Sequence, residues 1–182
     1  MTINNQQLEQ FKSGIFNLGT NFGELAQLMI EKLEGFTPAG EKYYDLLDST
    51  EKKIEVKFSR AKKKLKSLSS TNIIDYCMFS STERRLLTES QSNEFTFDCN
   101  IQQIKPSEFD TLYYGIFFID KIIIFTADSS IVPSIPGYSI QHKGGTEYQF
   151  HINKSNYTTY HKRHRFYKEL SYAELFELFS QE

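Results

Sequence analysis

Tryptophan is absent from the chain, cysteine occurs twice and proline four times, and each scarcity closes off a class of protein. Cys77 and Cys99 lack the C-x-x-C spacing of a zinc ribbon or redox motif. They are expected as buried, reduced thiols in strands rather than as a disulfide framework. No apolar run approaches the about 18 residues that a membrane-crossing helix needs, so no membrane partner is expected. The stretch from Met1 to Gln10 is polar and lacks the apolar h-region of a secretory signal, so export is not expected. A large charge of one sign is also missing. The formal charge is −2, so any surface for a polyanion has to be local. Aromatic residues are abundant instead: 16 Phe and 11 Tyr predict a core rich in ring contacts. At 182 residues, 39% of them hydrophobic and 24% charged, the chain supports one globular domain over 1–182 rather than two.

Residues 42–61 read KYYDLLDSTEKKIEVKFSRA and have the form of a β-hairpin: strand 42–47, a polar turn at 48–52 and strand 53–59. Alternation puts Ile54, Val56 and Phe58 on one face and Glu55, Lys57 and Ser59 on the other. A hairpin folded about Thr50 sets Asp45 nearly opposite Glu55. Two carboxylates and an ammonium then share a face. That set suits a hard divalent cation which draws its remaining ligands from phosphate and water, with Lys57 placed to orient or deprotonate the attacking water. The sequel is basic. Residues 52–66 hold eight Lys and Arg against the single acid Glu55. Beside a metal site, Arg60, Lys62, Lys63 and Lys64 read as a phosphate track supplying sequence-independent affinity.

Elsewhere the apolar spacing predicts helices over 4–18 and 22–33, the second capped by Thr20 or Asn21 and broken by Gly35, Pro38 and Gly40. Residues 72–79 read as a buried strand, 80–93 as a loop or short helix, 94–99 as a strand, and 112–118 with 121–125 as paired strands. Residues 128–145 read as loop and the aromatic, basic 157–168 as a phosphate-binding face or a connector. Ser171-x-x-Glu174 is a capping box opening a closing helix. Together these predict a mixed α/β fold with a central mixed β-sheet flanked by helices. Gln141-His142-Lys143-Gly144-Gly145 is a glycine-hinged segment that offers hydrogen-bonding groups to purine edges in a major groove, or else an ordinary turn. The four histidines have irregular spacing and no accompanying thiolate, which argues against zinc.

Asp45, nine intervening residues and Glu55-Val56-Lys57 resemble the D…(D/E)xK signature of the PD-(D/E)XK nuclease superfamily. Phe58-Ser59-Arg60-Ala61 is similar to the small type II restriction endonucleases within it, although Tyr44 stands where the family usually has proline. The resemblance implies a restriction-endonuclease-like fold and Mg²⁺-dependent hydrolysis of double-stranded DNA at a specific sequence. Asp45, Glu55 and the Val56 carbonyl would hold the metal, and Lys57 would position or activate the attacking water. Glu24, in Phe22-Gly23-Glu24-Leu25-Ala26, would reach the site from the preceding helix; read without the resemblance, it complements the helix dipole. Ile104-Lys105-Pro106 would place Lys105 near DNA. Gln141, His142 and Lys143 match a late segment, Q-H-x-G…Q-F-H-I, of such enzymes. A homodimer is expected on a palindromic site, in a bacterial cytoplasm, with a cognate DNA methyltransferase in the same system but in no stable contact. The alternatives are a structure-specific repair or recombination nuclease, or a non-catalytic DNA-binding domain of the same fold.

Overall fold

Asn4 opens α1 (Asn5–Phe16) through a capping box: its side chain accepts from the Gln7 amide, and the Gln7 side chain accepts from the Asn4 amide. The computed structural model describes residues 3–40, 43–140 and 148–181. A 3₁₀ turn at Gly19–Asn21 leads into α2 (Phe22–Glu34), with Asn21 at the N-cap position but making no side-chain bond there. Gly35 stops α2 at φ 69°, in the left-handed region that a Cβ disfavours. Strands β1 (Thr37–Pro38), β2 (Leu46–Leu47) and β3 (Lys53–Arg60) follow, then α3 (Ile73–Phe79) and α4 (Thr82–Arg85). Next come β4 (Asp98–Ile104), β5 (Thr111–Phe117), β6 (Ile122–Asp128), β7 (Ser139–Ile140) and β8 (Tyr148–Asn153). The short α5 (Lys162–His164), β9 (Phe166–Leu170) and α6 (Tyr172–Ser180) complete the chain. Ser171 and Glu174 form the capping box that starts α6.

Six strands make a mixed sheet in the order β1-β2-β3-β5-β6-β9, with β3 and β5 parallel and the other pairs antiparallel. A separate antiparallel sheet has the order β4-β8-β7. Alternation along the central strands divides the core in two. Ile54, Val56, Phe117 and Ile124 meet Phe16, Met29, Ile30 and Leu175 of the helices α1, α2 and α6. Leu112, Tyr114, Ile116 and Phe125 meet Cys99, Ile101, Phe150 and Ile152 of the small sheet. Helices therefore flank the central sheet on one face, and the small sheet covers the other. The cause lies in β4 and β8, where buried apolar residues alternate with polar ones, so each strand has one face that must be covered.

Residues 72–79, expected as a buried strand, form α3 and leave Ile74 and Met78 exposed at 71% and 57%. Among the described residues this segment pairs with no strand of either sheet. Its amides are satisfied locally, with Tyr76 N–H donating to Asn72 O and Ser80 N–H to Tyr76 O. Cys77 is therefore exposed and helical, while Cys99 in β4 is buried as expected. The strand expected at 94–99 begins later, at Asp98, because Ser90–Asn93 closes a 3₁₀ turn first. Residues 157–168, expected as a face or connector, hold a π turn (Tyr157–His161), α5 and the start of β9, which pairs with β6. His161 anchors that turn. It is fully buried with Nδ1 3.0 Å from the Tyr114 hydroxyl, and burial holds its pKa down at about 4.

Candidate active site

The turn between β2 and β3 is built by one side chain. The Asp48 carboxylate accepts from the Thr50 amide (2.7 Å), the Thr50 hydroxyl (2.8 Å) and the Lys52 amide (3.0 Å), while Glu51 takes φ 65°. This turn fixes the register Leu46↔Ile54 and Leu47↔Lys53. Asp45 then lies across from Glu55. Its amide donates to Ile54 O at 2.9 Å, and its Oδ2 accepts from the Val56 amide at 2.8 Å. The start of β3 is held from the other side by Asp110, whose Oδ2 accepts from the Lys53 amide at 2.9 Å. Pairing between β2 and β3 ends at Ile54, so the β2-side edge of β3 opens where Asp45 sits.

Lys57 Nζ lies between the two carboxylates, 2.5 Å from Glu55 Oε1 and 3.6 Å from Asp45 Oδ2. Glu55 is 7% exposed, on the sheet face opposite Ile54 and Val56. Burial pushes its carboxyl up from 4.5 to about 7; Lys57 pulls the other way, and Asp45 and Glu108 add to the rise. Burial also opposes the charge of Lys57, but Glu55 and Asp45 outweigh it, and the ammonium ends above its ordinary value. The cluster thus holds two carboxylates against one cation in a partly dry site. Glu108, whose charge reaches Glu55, was not anticipated from the sequence. Its neighbour in the same turn, Lys105, was, and the two pair at 3.5 Å.

The raised carboxyl has a consequence for stability. Folding takes up a proton at Glu55 between pH 4.5 and about 7, so this contribution is fully present below 4.5 and is lost as pH rises through 7. The loss is about 3 kcal/mol at most, at 1.36 kcal/mol per pKa unit. Glu55→Gln removes it. The melting temperature of the variant should therefore climb relative to wild type between pH 5 and 8, by roughly 2–4 °C per kcal/mol. A difference that stays constant across that range would show that the Glu55 carboxyl is not raised.

The remaining site residues are distributed as follows. Val56 follows Glu55 on β3 and donates its amide to Asp45. Glu24 is exposed in the first turn of α2, which packs on the Ile54–Val56 face. Among the described residues no hydrogen bond or ion pair joins it to Asp45, Glu55 or Lys57. The contact from α2 is made instead by Gln27, whose Nε2 donates to Asp45 O at 3.3 Å. Arg60 lays its guanidinium 3.9 Å from the centre of the Phe22 ring. Burial lowers the pKa of Lys62, with Arg60 and Arg85 adding to the effect. Lys63 turns away and stacks over Phe95 at 3.9 Å. Among the described residues no carboxylate forms an ion pair with Arg60, Lys62, Lys63 or Lys64. Gln141, His142 and Lys143 lie outside the described residues.

Arg60 and Lys62 line a cleft of about 350 Å³ between the end of β3 and β4, together with Ser59, Asp98, Asn100 and Gln102. Lys64 lines a second, of about 560 Å³, with Asp98, His151, Asn153 and Lys154. Among the described residues no group of three or more His, Cys, Asp and Glu side chains is placed to hold a metal ion, and no helix is long and apolar enough to cross a membrane. No protein-family model matches the chain, and no curated protein matches it significantly.

Proposed function

We propose that this chain is a Mg²⁺-dependent endonuclease of the PD-(D/E)XK type that cuts double-stranded DNA at a specific sequence. The observation that carries the reading is the Asp45–Glu55–Lys57 cluster at the opening edge of β3, with its D…ExK spacing and an excess of negative charge. The donors fit Mg²⁺. They are hard carboxylate oxygens, an ammonium already sits between them as a cation would, and Glu55 is left under-compensated. Asp45, Glu55 and the Val56 carbonyl would hold the ion. When bound, it supplies polarisation of a phosphoryl oxygen and offsets charge developing there.

The chain's own groups account for the rest of the reaction. Lys57 retains its proton, which favours orienting the attacking water and stabilising phosphate charge over abstracting a proton. A water oxygen forms the new bond to phosphorus as the bond to the in-line 3′ oxygen breaks; the water gives up a proton to solvent and the departing oxygen takes one from solvent, leaving a 3′-hydroxyl and a 5′-phosphate. The partly buried position of Glu55 strengthens each of these interactions by excluding solvent. Arg60 and Lys62, unpaired with carboxylates, bind flanking phosphates and supply affinity independent of sequence. A second copy, related by a two-fold axis, would cut the other strand of a palindrome.

The test is incubation of plasmid with the protein in Mg²⁺. Discrete fragments are expected, abolished by chelation and restored by added Mg²⁺, with two chains sedimenting per short cognate duplex in Ca²⁺. Cleavage confined to branched or flapped DNA would replace this reading with a structure-specific nuclease. No cleavage of any DNA would leave only a binding domain.

A further inference from the structure

We infer that the polar face of the small sheet reads base edges, with the amides of Gln102 and Gln149 selecting adenine. The inference rests on the reading of duplex DNA as substrate. Along β4 the buried Cys99 and Ile101 alternate with Asp98, Asn100 and Gln102, and along β8 the buried Phe150 and Ile152 alternate with Gln149, His151 and Asn153. The registers Asp98↔Asn153, Asn100↔His151 and Gln102↔Gln149 place these six polar side chains on one face of the β4–β8 pair, with the two-residue β7 alongside the Gln149 end. A major groove is wide enough to admit a pair of β-strands.

The face is organised rather than merely solvated. His151 Nδ1 lies 2.8 Å from Asp98 Oδ1, which ties down the carboxylate that would repel DNA. Asn100 Nδ2 donates to Gln149 Oε1 at 3.0 Å and to Gln102 Oε1 at 3.4 Å, which orients both amides. Gln103, at φ 61°, makes the irregularity that shifts the register between Gln102 and Ile104. Cations border the face in both clefts, with Arg60 and Lys62 in one and Lys64 and Lys154 in the other. Gln102 itself lines the first cleft, so a duplex held there by its phosphates lies against this face. The first cleft also contains Ser59, which shares the face of β3 with Glu55 and Lys57, so base reading and the proposed chemistry are contiguous. A side-chain amide pairs in bidentate fashion with adenine N6 and N7.

Wild-type, Gln102→Ala and Gln149→Ala protein, each shown to be folded by thermal melting, are allowed to select duplexes from a randomised pool in Ca²⁺. Wild type should select a motif containing A·T pairs. Each variant should lose preference at an A·T position, with about ten-fold or greater weakening on the selected duplex and unchanged affinity for scrambled duplex. Lys64→Ala should instead weaken binding to all duplexes alike and lower the slope of log affinity against log salt by about 0.9. The inference is overturned if both variants select the wild-type motif unchanged, if only G·C positions relax, or if wild type selects no motif. Selection of an A·T motif that Mg²⁺ never causes to be cut would overturn the nuclease reading and leave this one standing.

Discussion

Asp45→Asn is expected to lower Mg²⁺-dependent DNA cleavage by about a thousand-fold or more while the protein stays folded and binds DNA in Ca²⁺. A carboxylate that helps hold a catalytic cation is worth several kcal/mol in the transition state, and each 1.36 kcal/mol is a factor of ten in rate. Asparagine is the informative replacement because Asp45 has two jobs. Its Oδ2 accepts the Val56 amide at 2.8 Å, and a side-chain carbonyl can keep that bond while losing the charge. Alanine removes both, leaving a partly buried amide without its acceptor, at about 1–3 kcal/mol. A rate loss common to both variants with stability lost only in Asp45→Ala would assign the charge to chemistry and the hydrogen bond to the hairpin. Asp45 also raises the pKa of Glu55, so Asp45→Asn should move the Glu55 titration to lower pH. Cleavage by Asp45→Asn at the wild-type rate would remove Asp45 from the site.

The second large effect is structural. Gly115→Ala is expected to destabilise the protein by on the order of 3 kcal/mol, or roughly 6–12 °C in melting temperature, with little change in the denaturant m-value. Gly115 lies in mid β5, paired in parallel with Phe58 on β3 and antiparallel with Ile124 on β6. A Cβ at this position would collide with the Ile123 carbonyl oxygen and with the Phe58 ring. Both neighbours are constrained. The carbonyl belongs to a fully paired strand, and Phe58 packs edge-on against Phe117, with centroids 5.7 Å apart. Because β3 also carries Glu55 and Lys57, a shift that relieves the clash would disturb the spacing of the cluster as well. Adding Phe58→Leu to the alanine variant should recover part of the stability but not all of it, since the backbone contact remains. A stability of Gly115→Ala within 0.5 kcal/mol of wild type, the range of neutral surface changes, would show that the strands can separate at this point at little cost.

The elements that were legible in the sequence are those whose causes are local. Asp48 and its neighbours supply turn chemistry within a few residues, and period-two alternation in 53–59 sets the faces of β3. Together they determine that Asp45 lies across from Glu55 with Lys57 beside it, as the register and ion pairs show. The capping box at Ser171, the helical stripes of α1 and α2 and the paired strands β5 and β6 follow from spacing of the same kind. What depended on distant parts of the chain was decided only in three dimensions. Residues 72–79 have the composition of a buried strand, yet they coil into α3, with their amides bonded inside the segment. Alternation in β4 and β8 demanded one covered face without saying what would cover it, and packing against Tyr114 and Phe125 placed it on the central sheet. The same packing put Asn100, Gln102 and Gln149 on one outer surface from segments far apart in sequence. Glu24 was assigned by resemblance of a short helical segment, but contact with the site depends on how α2 crosses the sheet, and that crossing presents Gln27 to Asp45. The raised carboxyl of Glu55 was likewise invisible to spacing, because its cause is burial, and burial belongs to the assembled core rather than to any one strand.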